Sequence, residues 1–171
     1  MVIYMCTATA LVRPLDQKYM KLLSPLIGSP TITIHYYPQA RKIIVKAPYH
    51  TPIVIYEERN EDLITPIMEF FEKYGYKLTR GNETISYSWY EYEIPEYIMQ
   101  TVDNINNTYK YPCVTVNDAL LVIASNGKWN IVEKGLGNVV VKFNDPLKTE
   151  RAYGNVCYDA LLGLSDKLLY G

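Results

Sequence analysis

The stretch from Tyr76 to Ile94, YKLTRGNETISYSWYEYEI, constrains this chain more than any other, because its side chains allow a pairing register to be derived. Placing Gly81 and Asn82 in a two-residue turn sets Arg80 opposite Glu83, Leu78 opposite Ile85 and Tyr76 opposite Tyr87. Apolar residues then face one another, and Lys77, Thr79, Thr84, Ser86 and Ser88 share a solvated side. A slip by one residue would invert both faces, so this pairing is the expected one. Beyond Trp89 the alternation fails, because Tyr90, Tyr92 and Ile94 fall on the formerly polar side. Another part of the chain, or another molecule, is expected to cover that side.

The remaining segments read outward from this hairpin. Residues 2 to 12 are apolar and rich in β-formers, which favours a buried strand. Pro14 suits the first turn of a helix whose stripe is Leu15, Tyr19, Leu22, Leu23 and Leu26, stopped by Pro25 and Gly28. In TITIHYY, residues 31 to 37, Ile32, Ile34 and Tyr36 share one strand face while Thr33, His35 and Tyr37 share the other. A turn at Pro38 leads to a returning strand over 41 to 47 and a short one over 51 to 58. Thr65 as N-cap, Pro66 at the first helical position and Gly75 past the end delimit a helix with Ile67, Phe70, Phe71 and Tyr74 inward.

Pro95 opens a further helix with Ile98, Val102 and Ile105 on one side, ending in the cluster Asn104, Asn106 and Asn107. Residues 111 to 116 read as a short strand. Asn126-Gly127 and Gly135-Leu136-Gly137 are turn signals, so a three-stranded meander is expected over about 119 to 143. Asp145-Pro146 reads as a cap with a first-turn proline. The chain closes on an amphipathic helix with Cys157, Ala160, Leu161, Leu164 and Leu168 on its apolar side. The expectation is a single α+β domain over 1–171 with mostly antiparallel sheet. Its N-terminal half reads as ferredoxin-like (split βαβ), followed by a helix, the meander and the C-terminal amphipathic helix.

Composition narrows the function classes. With 49% hydrophobic and 20% charged residues the chain is an ordinary globular one, and its net charge of -1 supplies no long-range attraction for a polyanion. A nucleic-acid role therefore needs a local patch. Cys6, Cys113 and Cys157 are far apart and form no C-x-x-C pair, so neither a zinc knuckle nor a disulfide framework is signalled, and a reduced cytoplasmic setting is expected. No apolar run reaches the length of a membrane helix, so no membrane partner is expected. The glycines of Gly135-Leu136-Gly137 lack the strand-to-helix context of a dinucleotide loop, and no cofactor or metal is implied.

Seventeen tyrosines beside only three glutamines, with abundant isoleucine and asparagine, make a composition that resembles small proteins of crenarchaeal hyperthermophiles and their viruses. That resemblance implies an archaeal or viral protein from a thermophilic setting. Ile34-His35-Tyr36-Tyr37 resembles the hydrophobic-His-hydrophobic-His strand of rolling-circle replication initiators. In that family two histidines hold a metal and a helical tyrosine attacks the DNA backbone, and Tyr97 stands at the corresponding place here. The present chain departs from the pattern, because Thr33 occupies the position of the first histidine.

His35 is the first candidate for chemistry, since an imidazole mid-strand can transfer protons near neutral pH and Lys42 and Lys46 lie on the neighbouring arm. The bland alternative is a solvent-facing strand. Glu57, Glu58, Glu61 and Asp62 could bind a divalent cation or form a solvated start to a helix. Glu91 and Glu93 share a strand face at a spacing that permits a carboxylate pair. His50 reads as an exposed loop residue, and Cys113 and Cys157 as buried. Tyr87, Trp89, Tyr90 and Tyr92 could stack on bases or serve as core and interface.

Two functional expectations follow. One is a non-enzymatic binding or assembly protein, a homo-oligomer joined through Tyr90, Tyr92 and Ile94. The alternative is a single-stranded nucleic-acid-binding protein using His35, Tyr37, Arg41, Lys42 and Lys46, or a metal-dependent nicking enzyme using His35 and Tyr97.

Overall fold

The computed structural model describes residues 14–145 and 150–171. The strand read over 2 to 12, with which the ferredoxin-like order begins, and the first-turn role of Pro146 lie outside the described residues. In chain order the elements are α1 (Gln17–Leu23), a 3-10 turn (Ser24–Leu26), β1 (Thr31–Tyr37), β2 (Lys42–Lys46), β3 (Ile53–Tyr56), α2 (Ile64–Lys73), β4 (Lys77–Glu83), β5 (Ser88–Glu93) and α3 (Glu96–Tyr109). Then follow α4 (Val116–Ser125), β6 (Trp129–Gly135), β7 (Asn138–Phe143), β8 (Glu150–Gly154) and α5 (Asn155–Tyr170). The fold is α+β, with a five-stranded sheet ordered β3-β2-β1-β5-β4 and a three-stranded sheet ordered β6-β7-β8. Among the described residues every strand pair is antiparallel.

One face of the larger sheet is core. Ile32, Ile34, Ile43, Val45, Ile55 and Tyr92 are almost wholly buried there. They belong to one apolar cluster with Leu23 and Leu26, with Ile67 and Phe71 of α2, Ile98 of α3, and Leu161 and Leu164 of α5. The period-2 pattern of TITIHYY thus divides core from outside as its sequence requires.

The hairpin register differs from the expected one. β4 runs on to Glu83, and Leu78 pairs with Tyr92, Arg80 with Glu91, Gly81 with Tyr90 and Asn82 with Trp89, with a bulge at Thr79. The turn is Thr84 to Tyr87, where the Thr84 hydroxyl accepts from the amides of Ser86 and Tyr87, each at 3.2 Å, and the Thr84 amide donates to the Tyr87 carbonyl at 2.8 Å. A threonine side chain standing in for a backbone acceptor makes this turn without a glycine. Gly81 serves elsewhere: a Cβ there would come within 3.2 Å of the Trp89 carbonyl, so glycine lets the two strands close up beside the bulge. Ile85, expected inside, is fully exposed. Pairing of β5 with β1 from Glu93 to Ser88 fixes which β5 residues face inward, and the hairpin follows.

Residues 111 to 116 are not a strand. The Asn106 side chain pairs with the Val114 backbone in both directions, accepting from its amide at 3.0 Å and donating to its carbonyl at 2.9 Å. The Leu120 to Ser125 run, expected in the meander, is helical, because Thr115 and Asp118 form a reciprocal capping box at its start. Asn126 and Gly127 end that helix with φ of 54° and 72°, the same left-handed geometry a tight hairpin turn demands. The meander consequently begins at Trp129 and takes β8 as its third strand, with Gly137 at φ 80° turning β6 into β7.

α2 begins one residue before Thr65, with the Asp62 carboxylate accepting from the Thr65 amide at 3.2 Å. Cys113 and Cys157 are joined by a disulfide, against the expectation of free buried thiols. Forty-four residues separate them, but packing of α3, α4 and α5 brings their Cα atoms to 4.7 Å. Linear spacing carries no trace of that proximity. No helix among the described residues is long and apolar enough to cross a membrane.

Candidate nucleic-acid interface

The strand pairings fix what lies on the outer face of the five-stranded sheet. Across it run four rungs: Thr31, Glu93 and Lys77; then Lys46, Thr33, Glu91 and Arg80; then Val54, Ile44, His35, Trp89 and Asn82; then Tyr56, Lys42 and Tyr37. Tyr87, just before β5, joins the last rung by stacking on Tyr37.

Four rings on this face stand side by side. Trp89 and His35 have centroids 6.1 Å apart with planes 23° from parallel, His35 and Tyr87 are 6.1 Å apart at 24°, and Tyr87 and Tyr37 are 5.5 Å apart at 27°. A cation closes each end. The Arg80 guanidinium lies 4.4 Å from the Trp89 ring centre and the Lys42 ammonium 5.1 Å from that of Tyr37. Arg80 is held there by Glu91, whose carboxylate it meets at 3.2 Å. Trp89 Nε1 is buried without a hydrogen-bond acceptor. His35 titrates below the ordinary imidazole value of 6.5, first because burial disfavours its charged form and second because Lys46 is near. It is neutral at pH 7.

Of the residues expected to meet nucleic acid, the structure gathers His35, Tyr37, Lys42 and Lys46 on this face. Arg41 turns aside at φ 51° and donates to the Glu58 carbonyl at 3.2 Å. Of the four aromatic residues that the sequence offers for stacking on bases, Tyr87 and Trp89 join His35 on this face while Tyr90 and Tyr92 do not, and Arg80 is an addition that only the pairing of β4 with β5 supplies.

Tyr90, Tyr92 and Ile94, expected to form an interface, sit on the core side. Tyr92 is 0% and Ile94 7% exposed, and the partly buried Tyr90 packs against the same cluster. The broken alternation after Trp89 is explained by burial within this chain. The Tyr92 hydroxyl is buried without a partner, and burial raises its pKa well above the usual phenol range.

Tyr97 lies on α3 beneath Lys77, whose ammonium is 5.5 Å from its ring centre. Lys77 pairs with Glu93, whereas His35 pairs with Trp89, so roughly 13 Å of β5 separates the two rungs. The structure does not bring His35 and Tyr97 together. Among the described residues no group of three or more His, Cys, Asp and Glu side chains is placed to hold a metal.

The acidic residues have structural work. Glu57 is buried, accepting from the Tyr36 hydroxyl and the Leu63 amide, each at 2.7 Å, which starts α2 and pushes the Tyr36 phenol up to about 12, chiefly through desolvation. Glu61 accepts from the Glu58 amide at 2.9 Å. Compared with known proteins, the chain matches no family model, no curated protein and no solved structure.

Proposed function

We propose that this protein binds single-stranded nucleic acid on the outer face of its five-stranded sheet. The observation that carries the reading is the row of four rings capped at both ends by cations, flanked by Lys46. Aromatic surfaces take bases of any sequence, and cations beside them neutralise phosphates. Lys42, Lys46, Lys77 and Arg80 outnumber Glu91 and Glu93 on this face, so the patch is locally cationic on a chain of net charge -1.

The assembly reading loses its surface, because Tyr92 and Ile94 are enclosed by their own chain. An intracellular site of action suits the ligand. Intracellular disulfides are common in hyperthermophilic archaea, so the Cys113–Cys157 bond is compatible with the compositional resemblance to their proteins and viruses.

Fluorescence anisotropy with a labelled, unstructured oligonucleotide tests the reading. If Lys42, Lys46 and Arg80 each meet one phosphate, affinity is expected to fall about twentyfold between about 50 and 200 mM salt. Absence of binding at the lower salt would sink the proposal.

A further inference from the structure

Resting on that reading of the face, we infer that Arg80 is a movable cover on Trp89. In the free protein Glu91 holds its guanidinium over the indole ring, and an incoming phosphate draws it off and leaves that side of the ring to a base. Glu91 is then a positioning residue that restrains binding.

The cover depends on an irregularity in the edge strand. In a regular strand Leu78 and Arg80, two residues apart, would share a face. The bulge at Thr79 separates them, with Leu78 opposite the buried Tyr92 and Arg80 opposite Glu91 on the outer face. The Thr79 hydroxyl ties the bulge to β5 by donating to the Glu91 carbonyl at 3.1 Å. Arg80 so placed donates to the Glu91 carboxylate at 3.2 Å, with its guanidinium carbon 4.4 Å from the Trp89 ring centre. A base stacked on that side of the ring, with planes about 3.4 Å apart, needs the same space.

The forces that hold the cover are weak enough to exchange. The Arg80 side chain is 62% exposed and that of Glu91 18%, so the anchor is fixed in the sheet while the cover stands in solvent. An exposed ion pair shifts an equilibrium by up to about fivefold, and an exposed cation on an aromatic ring by about two- to fivefold. A phosphate oxygen offers the guanidinium the same charged hydrogen bond that Glu91 supplies. One stacked base adds about five- to 150-fold. Exchange therefore favours the bound state, and the restraint from Glu91 subtracts from the affinity.

The experiment follows anisotropy of a labelled oligothymidylate with the full chain and its Glu91→Gln, Arg80→Ala, doubly substituted and Glu93→Gln forms. Trp89 emission is read with unlabelled oligothymidylate in the chain carrying Trp129→Phe, where Trp89 is the single tryptophan. Glu91→Gln is expected to tighten binding about three- to fivefold, and the gain is expected to vanish once Arg80 is alanine. Glu93→Gln, which removes an equal charge one rung away, should give less than half of that gain. Arg80→Ala should lower the slope of log affinity against log salt by about 0.7, the loss of one phosphate contact, and binding should quench Trp89. No gain from Glu91→Gln, a gain that persists without Arg80, an equal gain from Glu93→Gln, an unchanged salt slope or unquenched Trp89 would each overturn the cover while leaving the face as the binding surface. No anisotropy change with the native chain at about 50 mM salt would overturn both.

Discussion

The two faces of the five-stranded sheet are built from alternate residues of the same strands, yet they have opposite relations to their tyrosines. On the core side Tyr36 of β1 and Tyr76, just before β4, act through their hydroxyls, Tyr92 being the exception. Tyr76 donates to the Ser29 carbonyl at 2.7 Å and accepts from the Gly28 amide at 3.0 Å, and Tyr36 donates to Glu57. On the outer face Tyr37 and Tyr87 act through their rings, each stacked on a neighbour and partly open to solvent. A buried phenol usually finds a partner for its polar end, whereas a half-exposed one leaves its hydroxyl to water and keeps its flat surface for contacts. A tyrosine-rich composition therefore served two unrelated ends in one sheet.

The largest effect expected to separate the faces comes from neighbouring residues on β1. Ile34→Ala should cost about 2–5 kcal/mol by leaving a cavity in the core, measured by urea unfolding, while His35→Ala one position along should stay within about 1 kcal/mol. Equal losses would mean that the outer face is also packed. Next in size is the disulfide. Cys113→Ala should remove about 4 kcal/mol, the chain-entropy value for a closed loop of 44 residues. It should leave oligonucleotide affinity unaltered below the melting transition, because Cys113 and the ring face belong to different elements.

A smaller contrast lies within the core face. Tyr76→Phe should cost about 1–3 kcal/mol, since it strips a buried carbonyl and amide of their shared partner. Tyr92→Phe removes a hydroxyl that has no partner and should be neutral or stabilising by up to about 1 kcal/mol. If both changes cost the same, the Tyr92 hydroxyl is bonded to an internal water.

The smallest effect is the pH response of His35. Its folded pKa is depressed below the 6.5 of an ordinary imidazole. The unfolded chain therefore takes up the proton first as pH falls, so this contribution to stability is complete above 6.5 and is lost as pH drops through the folded value. Unfolding free energies compared at about pH 7.5 and 5 should show a larger decline for the native protein than for His35→Gln. Nucleic-acid affinity should move the opposite way, rising at low pH as the row acquires a charge.

Local chemistry made much of the fold legible. The alternation in TITIHYY, the glycine after α2, the turn at Gly135 to Gly137 and the apolar side of α5 each rest on neighbours within a few residues, and each stands in the structure. Asn126-Gly127 is the instructive case: the left-handed conformation it signals is present, but a helix precedes it instead of a strand. The same two residues suit either ending, and the Thr115–Asp118 capping box at the other end of the helix decides between them.

The candidate site was half legible. His35, Tyr37, Lys42 and Lys46 followed from one hairpin whose register the alternation supports. Arg80, Tyr87 and Trp89 depended on how a second hairpin docks beside β1. By itself the sequence determined which residues of the unbulged strands β1 and β2 share a face, because side-chain direction alternates with every peptide, whereas the bulge at Thr79 reverses the alternation within β4. Only the tertiary structure decided which face of β5 met the core, where its turn fell and which cysteines met. Those outcomes depend on contacts between segments distant in the chain, where burial of Tyr92 against the shared core outweighs the turn preference of Gly81-Asn82.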